Sequence, residues 1–444
     1  MSNYDTLGGA RAWTIWTIAT LFVIGGFAFS AAYSATSTAI AKDLNLTLAQ
    51  VGILASVYTW ALASVQIFSG AIMDRVGIRI LPFVSVCVVV SAFGFANATS
   101  FSMLLLANGF MAIGGAFSFI GAGMVGGKWF GWHRFGIMFG LVQAAGAVGS
   151  FANQNVIRHA VESYGWSASL NGIAVFILAV SALMFVFIRE PKLPGGAQLE
   201  WTGISQLVRD VFKALTRVVV RPHLWWNTLH GGMTFGTHLA VSLVWGPIFL
   251  TKAGMSTSDA VFTCSFTFIG MLVGCPLWVW VSERIKLNRP LAVYPTIAHA
   301  CVLAFVIYNP SYASPLVFFL VGLCSASTTM NYPIAGALVP PSLIGAASSH
   351  VNTLQFFWTG VLMAAPGLAL SGSGIWAMIA GTTGIDAANP SLENFQSAML
   401  LLVFASIVGA IAGFVTKESF PSEANAKDRE ELDVSPQPVA VPAE

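Results

Sequence analysis

The 444-residue chain is 56% hydrophobic and 9% charged, with a mean hydropathy of +0.77. Soluble domains carry about 25% charged residues, and a soluble surface needs polar cover that this sequence lacks. An ordinary water-soluble fold is therefore excluded, and a formal net charge of +2 without a basic, aromatic-interleaved patch excludes nucleic acid as a partner.

The N-terminal MSNYDTLGGAR has neither the n-region nor the cleavage site of a secretory signal, so the first apolar run is expected to be retained. Twelve apolar segments follow, near 12–38, 49–70, 80–99, 101–126, 135–157, 167–188, 222–249, 259–281, 290–308, 314–338, 344–370 and 396–416. Each reaches about 19 residues or more, enough to cross a hydrocarbon core of about 30 Å as a helix, and helices satisfy every backbone group internally. The glycine-rich GFMAIGGAFSFIGAGMVGG at 109–127 lies inside span 4, where small residues serve close helix packing rather than phosphate binding. The five cysteines all fall in apolar runs without CxxC spacing, which reads as buried thiols. No metal and no cofactor are expected.

With the N-terminus in the cytoplasm, 17 Lys and Arg fall on the inner side and three, Lys42, Arg158 and Lys252, on the outer side. Both termini are then cytoplasmic. The longest polar interruption divides the chain into a six-helix half at 1–188, a cytoplasmic linker at 189–221, and a second half at 222–420. Within the linker, Arg209, Lys213, Arg217 and Arg221 recur every four residues beside Leu207, Val208, Val211, Phe212, Leu215 and Val218, the pattern of a helix lying on an anionic inner leaflet. Residues 421–444 are charged and Pro-rich, as in a disordered cytoplasmic tail.

The even division invites a search for a repeat. A shift of 209 residues lays SVYTWALASVQIFSGAIMDR over SFTFIGMLVGCPLWVWVSER, so that Asp74 meets Glu283 and Arg75 meets Arg284. Gly70-x-x-x-Asp74-Arg75-x-Gly77-x-Arg79, between spans 2 and 3, resembles the signature loop of the major facilitator superfamily (MFS). Ile78 stands where that family often has a basic residue. The resemblance implies an all-α membrane protein with twelve transmembrane helices in two pseudo-symmetric halves. It also implies that Asp74 docks near the start of span 11 at Gly345, where a helix N-terminus favours a carboxylate. Glu283 is expected to do the corresponding job near Phe135 and Gly136. Gly70, Asp74, Arg75, Gly77, Arg79, Glu283 and Arg284 are thus the gating candidates.

In that fold the substrate site lies near mid-bilayer between the halves. No Asp, Glu, Lys or Arg falls in the middle of a span, so the polar candidates are histidines and amides. His230 and His238 in span 7 and His350 in span 11 are candidates for carrying a coupled proton. His299 belongs to a span that is peripheral in the family. Tyr33, Gln143, His230, His238, Asn331, Tyr332, Asn352, Gln355 and Trp358 are the substrate-binding candidates, with Pro333 interrupting span 10 beside Asn331 and Tyr332. Asn108 stands where many proton-driven members carry arginine, and span 5 lacks the Gly-Pro pair of drug antiporters. The segment KWFGWHRFGIMFGL is similar to loops of organic-anion carriers, including monocarboxylate-type branches, although those carriers usually place Arg or Lys mid-span.

The expected function is secondary transport of a small organic solute (an organic anion, a zwitterion or a peptide-like molecule) by alternating access. Alternatives are an uncoupled facilitator of a neutral solute and a non-transporting sensor with the same fold. An enzyme is not expected, because no His, Asp or Glu cluster has metal or acid–base spacing. The expected partners are a small-molecule substrate and the lipid bilayer, with the monomer as functional unit in the inner (plasma) membrane of a bacterium.

Overall fold

The computed structural model describes residues 6–46, 48–152, 158–192, 203–387 and 389–421. The tail beyond Pro421 and the end of span 5, residues 153–157, fall outside them. The helices in chain order are α1 (Ala10–Asp43), α2 (Leu48–Val76), α3 (Leu81–Ala96), α4 (Phe101–Phe130), α5 (Phe135–Ala152), α6 (Arg158–Phe187), α7 (Ile204–Val219) and α8 (Pro222–Ala240). There follow α9 (Gly246–Lys252), α10 (Thr257–Ile285), α11 (Arg289–Tyr308), α12 (Pro315–Ser325), α13 (Asn331–Ala337), α14 (Ile344–Ala369), α15 (Gly374–Ala380) and α16 (Leu392–Val415).

Among the described residues, ten helical stretches are long and apolar enough to cross a membrane. The α14–α15 pair, bent by 77°, supplies an eleventh, and the 29-residue α2 completes the twelve. Helix breaks follow the prolines. Pro333 has no N–H to offer the Thr329 carbonyl, so the preceding turn, Ala326–Met330, tightens to a 3-10 helix. The interruption thus begins a turn earlier than the Asn331–Pro333 expected from sequence. Pro247 likewise has no N–H to offer the Leu243 carbonyl, and Val241–Trp245 widens into a π turn joining α8 to α9. Gly165, with φ of 79°, kinks α6 where its membrane crossing begins.

Two bundles result. In the first, α1 packs on α4, α5 and α6, α3 packs on α4 and α6, and α2 packs on α4. In the second, α8 packs on α14 and α16, α10 on α12, and α11 on α12 and α16. They meet along two seams, α2 against α14 and α5 against α10, the arrangement that a two-fold repeat produces. The α7 helix touches both α2 and α14. Its apolar set is split: Val211, Ala214, Leu215 and Val218 are buried, whereas Val208 and Phe212 remain exposed, Phe212 with its ring edge towards Phe68. Arg209, Lys213 and Arg217 point outward.

Candidate functional site

The α2–α14 seam is built from small residues. Gly70 N donates to Ser349 Oγ at 2.8 Å, and the Ser69 and Ser349 hydroxyls stand 3.3 Å apart. A Cβ on Gly70 would land on the Gly345 carbonyl, so only glycine permits this backbone approach. One turn along α2, the Asp74 carboxylate accepts from Gly345 N at 3.1 Å and from Ala346 N at 2.9 Å. These are two of the N–H groups that a helix start leaves without an intrahelical partner. Gly77 then turns the chain at φ 86°, a conformation L side chains rarely adopt, and Arg79 Nε donates to the Val76 carbonyl at 3.1 Å.

The second copy is not a mirror of the first. Glu283 accepts no hydrogen bond among the described residues, and the amides of Phe135 and Gly136 do not reach it. It stands instead in the field of Lys286 and Arg134, while Arg284 lies 5.2 Å over the Trp280 ring. Each half does carry one carboxylate in an equivalent place. Glu190, just beyond α6, accepts from Ile78 N at 2.7 Å and from Lys128 Nζ at 3.0 Å. Glu418, just beyond α16, accepts from Asn288 N at 2.9 Å and Arg289 N at 3.1 Å. Each fastens the connection that opens the third span of its half. The signal was visible as a basic residue followed by Glu, Arg189-Glu190 and Lys417-Glu418, closing spans 6 and 12. Glu190→Gln keeps an acceptor for Ile78 but loses the partly exposed ion pair with Lys128, so the expected loss is below about 1 kcal/mol. Glu190→Ala leaves the buried Ile78 N–H without its partner, which costs about 1–3 kcal/mol; thermal unfolding of the two variants separates these terms.

Further from the Asp74 clasp, aromatic rings close the space between the halves. Phe139 of α5 stacks on Tyr332 of α13 with centroids 4.3 Å apart and planes at 11°. Phe119 of α4 presents its edge to both rings at 5.4 Å. The Tyr332 hydroxyl lies 2.9 Å from Asn352 Oδ1 and 3.0 Å from Gln355 Oε1 on α14. Asn352 Nδ2, Gln355 Nε2 and Gln143 Oε1 are buried and have no partner among the described residues. Polar groups left unmatched in an apolar interior are rare in folded chains and point to a water or a ligand. Gly231 of α8 makes room for the Gln355 amide, since a Cβ there would sit 2.7 Å from Nε2 and 2.8 Å from Asn331 Oδ1. Trp358 packs against Gly232 one turn further along α14.

The histidines are less available than their spacing implied. His230 Nε2 lies 3.0 Å from both the Ala292 carbonyl and Thr296 Oγ1, and Nδ1 meets the Asn331 amide. Asn331 Nδ2 is itself 2.6 Å from the Asn227 carbonyl. This pair ties α8, α11 and α13 inside the second half. His230→Ala orphans several buried groups and is expected to lower stability by about 1–3 kcal/mol, read as a fall in the thermal unfolding midpoint. His238 Nδ1 contacts Ser325 Oγ at 3.0 Å and its ring meets Phe268 edge-on. His350 stands edge-on to Trp225 at 4.9 Å. Both retain an Nε2 without a partner. His299 is held by Ser406 Oγ at 3.0 Å, and Asn108 Nδ2 donates to the Leu54 carbonyl at 2.8 Å. The structure thus brings together Tyr332, Asn352 and Gln355, with Asn331 beside them and bonded to His230, while Gln143 lies one turn beyond Phe139 on α5. The Tyr33 side chain lies outside the described residues.

Twelve helices in two bundles, an Asp clasp on a helix start, and an aromatic floor with unmatched amides can be set against known proteins. The family model described as Major Facilitator Superfamily matches residues 18–363. The chain belongs to the major facilitator superfamily. Its fold is shared with a solved MFS proton:xylose symporter, XylE bound to 6-bromo-6-deoxy-D-glucose, at a TM-score of 0.69 and 14% identity over 92% of this chain and 96% of that one. Similar curated relatives include the probable galactarate/D-glucarate transporters GudP of Escherichia coli (strain K12) and of Bacillus subtilis (strain 168). The first is 23% identical over 61% of this chain and 66% of the relative; the second is 27% identical over 60% and 63%. The probable nitrate transporter NarT of Staphylococcus carnosus (strain TM300) is 23% identical over 40% of this chain and 45% of its own length. The chain thus spans just under two thirds, or less, of the length of the curated relatives it matches.

Proposed function

We propose that this MFS protein is a secondary transporter that carries a small organic solute across a membrane by alternating access. The observation that carries the reading is the Asp74 carboxylate accepting from the first N–H groups of α14 across the seam between the halves. A contact of this kind forms in one arrangement of two rigid bundles and breaks in another. In the described arrangement the Asp74 end is closed twice, by the clasp and by the Phe119–Phe139–Tyr332 cluster. The solute site lies on the far side of that cluster, at Gln143, Asn352 and Gln355. The distribution of Lys and Arg supports a cytoplasmic position for the closed end and for both termini, and the bacterial relatives support a plasma membrane.

The test is uptake into proteoliposomes holding the purified full chain. Galactarate, D-glucarate, nitrate, xylose and uncharged polyols serve as labelled solutes. Saturable uptake absent from empty liposomes is expected for at least one of them. A solute that shifts the unfolding midpoint yet never enters the vesicles would replace transport with sensing. Repeating the assay with an imposed proton gradient separates coupled transport from facilitation. Coupled transport would draw on His238 or His350, whose buried Nε2 atoms have no partner among the described residues, and facilitation needs no titrating group.

A further inference from the structure

Tyr332 has one phenolic hydrogen but places its oxygen within hydrogen-bond reach of two amides, at 2.9 Å from Asn352 Oδ1 and 3.0 Å from Gln355 Oε1. A phenol donates once and accepts through its lone pairs. The oxygen and nitrogen of a side-chain amide are assigned from their hydrogen bonds, because their shapes are alike. One amide therefore accepts from the phenol while the other turns its nitrogen inward and donates to it. Whichever takes which role, the far ends of the pair differ: one presents N–H and the other C=O. Asn352 is 3% exposed and Gln355 and Tyr332 are 0% exposed, so neither end is matched by bulk water. Gln143 Oε1 adds a further unmatched acceptor.

We propose that the solute bound here is uncharged and carries neighbouring donor and acceptor groups, as a polyol, a sugar or a carboxamide does. The inference rests on the transporter reading and narrows its substrate. A hydroxyl donates and accepts, and so answers both ends of the amide pair. A carboxylate only accepts; it would satisfy the N–H end and set its own oxygen against the C=O end. Counter-charge is also missing. Every Lys and Arg lies at a span end or in a connection, and an anion buried beside these amides would have no permanent cation to offset its desolvation. The Phe119 and Phe139 rings packed against Tyr332 supply the apolar side of the site. The chain thereby departs from relatives named for aldarates and nitrate.

The experiment compares matched pairs on the full chain: galactitol with galactarate, D-glucitol with D-glucarate, and lactamide with lactate. Affinity is read from thermal shift in detergent and transport from proteoliposome counterflow, both at pH 7. The uncharged member is expected to bind more tightly by at least about tenfold. Gln355→Leu is expected to remove that preference. If this variant does not fold, Tyr332→Phe, which keeps the ring stack on Phe139, is expected to weaken the uncharged ligand by about tenfold. Counterflow of a carboxylate in preference to its uncharged partner overturns the substrate class while leaving the transporter reading intact. No counterflow of any member overturns both.

Discussion

Gly70→Ala is expected to reduce uptake by roughly 5- to 150-fold while leaving both bundles folded. The added methyl meets the backbone carbonyl of Gly345 and the Ser349 hydroxyl. No flexible side chain is available to move aside, so α2 and α14 must separate. Separation lengthens the 2.8 Å bond from Gly70 N to Ser349 and carries Asp74 away from Gly345 and Ala346. Overpacking of this sort costs about 1–3 kcal/mol, which at 1.4 kcal/mol per factor of ten disfavours the closed state by roughly 5- to 150-fold. The loss falls on one arrangement of the halves and not on either bundle, whose internal packing is untouched. Initial uptake rates, with the unfolding midpoint measured in parallel, check this. Gly109→Ala is the control, because a Cβ there meets nothing within 4 Å. Wild-type uptake in Gly70→Ala would show that the close approach at the seam is not required.

The sequence made the architecture legible because membrane spans are long, apolar and bounded by charge, and all three properties survive without an alignment. Asp74 was reached through the family resemblance, which implies docking near the start of span 11 at Gly345, where a helix start favours a carboxylate. Glu283 lies in the field of Arg134 at the start of span 5 but receives no backbone N–H among the described residues, because matching position in a repeat does not ensure matching distance. Its helix ends in a left-handed Lys286, which sits beside it and takes the place of a helix start. Glu190 and Glu418 hold equivalent places in the two halves, at the ends of spans 6 and 12, where the acid–Arg repeat carries no information. Histidines look alike in a helical projection whether they face a path or a neighbouring helix. His230 proved to be a structural knot because its partners Ala292, Thr296 and Asn331 are supplied by two other helices. The Tyr332 cluster was half legible. Its polar members were named individually, but the rings of Phe119 and Phe139 that gather them come from the other half of the molecule, where periodicity carries no information about partners.

Asp74→Asn is expected to lower the turnover of transport by about 2- to 30-fold, with the half-saturating solute concentration within about twofold of the parent. The carboxylate offers one oxygen to Gly345 N and the other to Ala346 N. An asparagine keeps one acceptor but turns an NH2 group toward the second N–H, so that two donors face each other. It also loses the negative charge that a helix start favours by about 0.3–2 kcal/mol. The size of that term explains why the effect is partial: the clasp biases an equilibrium between two arrangements and does not by itself hold one of them. Asn352 and Gln355 lie about two and three turns into α14 from Gly345, so if they hold the solute as proposed, affinity is expected to change little and the defect to appear in the rate. Glu283→Gln supplies the internal comparison. Its parent carboxylate receives no backbone N–H among the described residues, and the change is expected to leave turnover within about twofold if helix-start capping is what matters. Equal losses in the two variants would move the explanation from capping to the general negative charge at that end of the molecule, and the asymmetry between the halves would carry no functional weight.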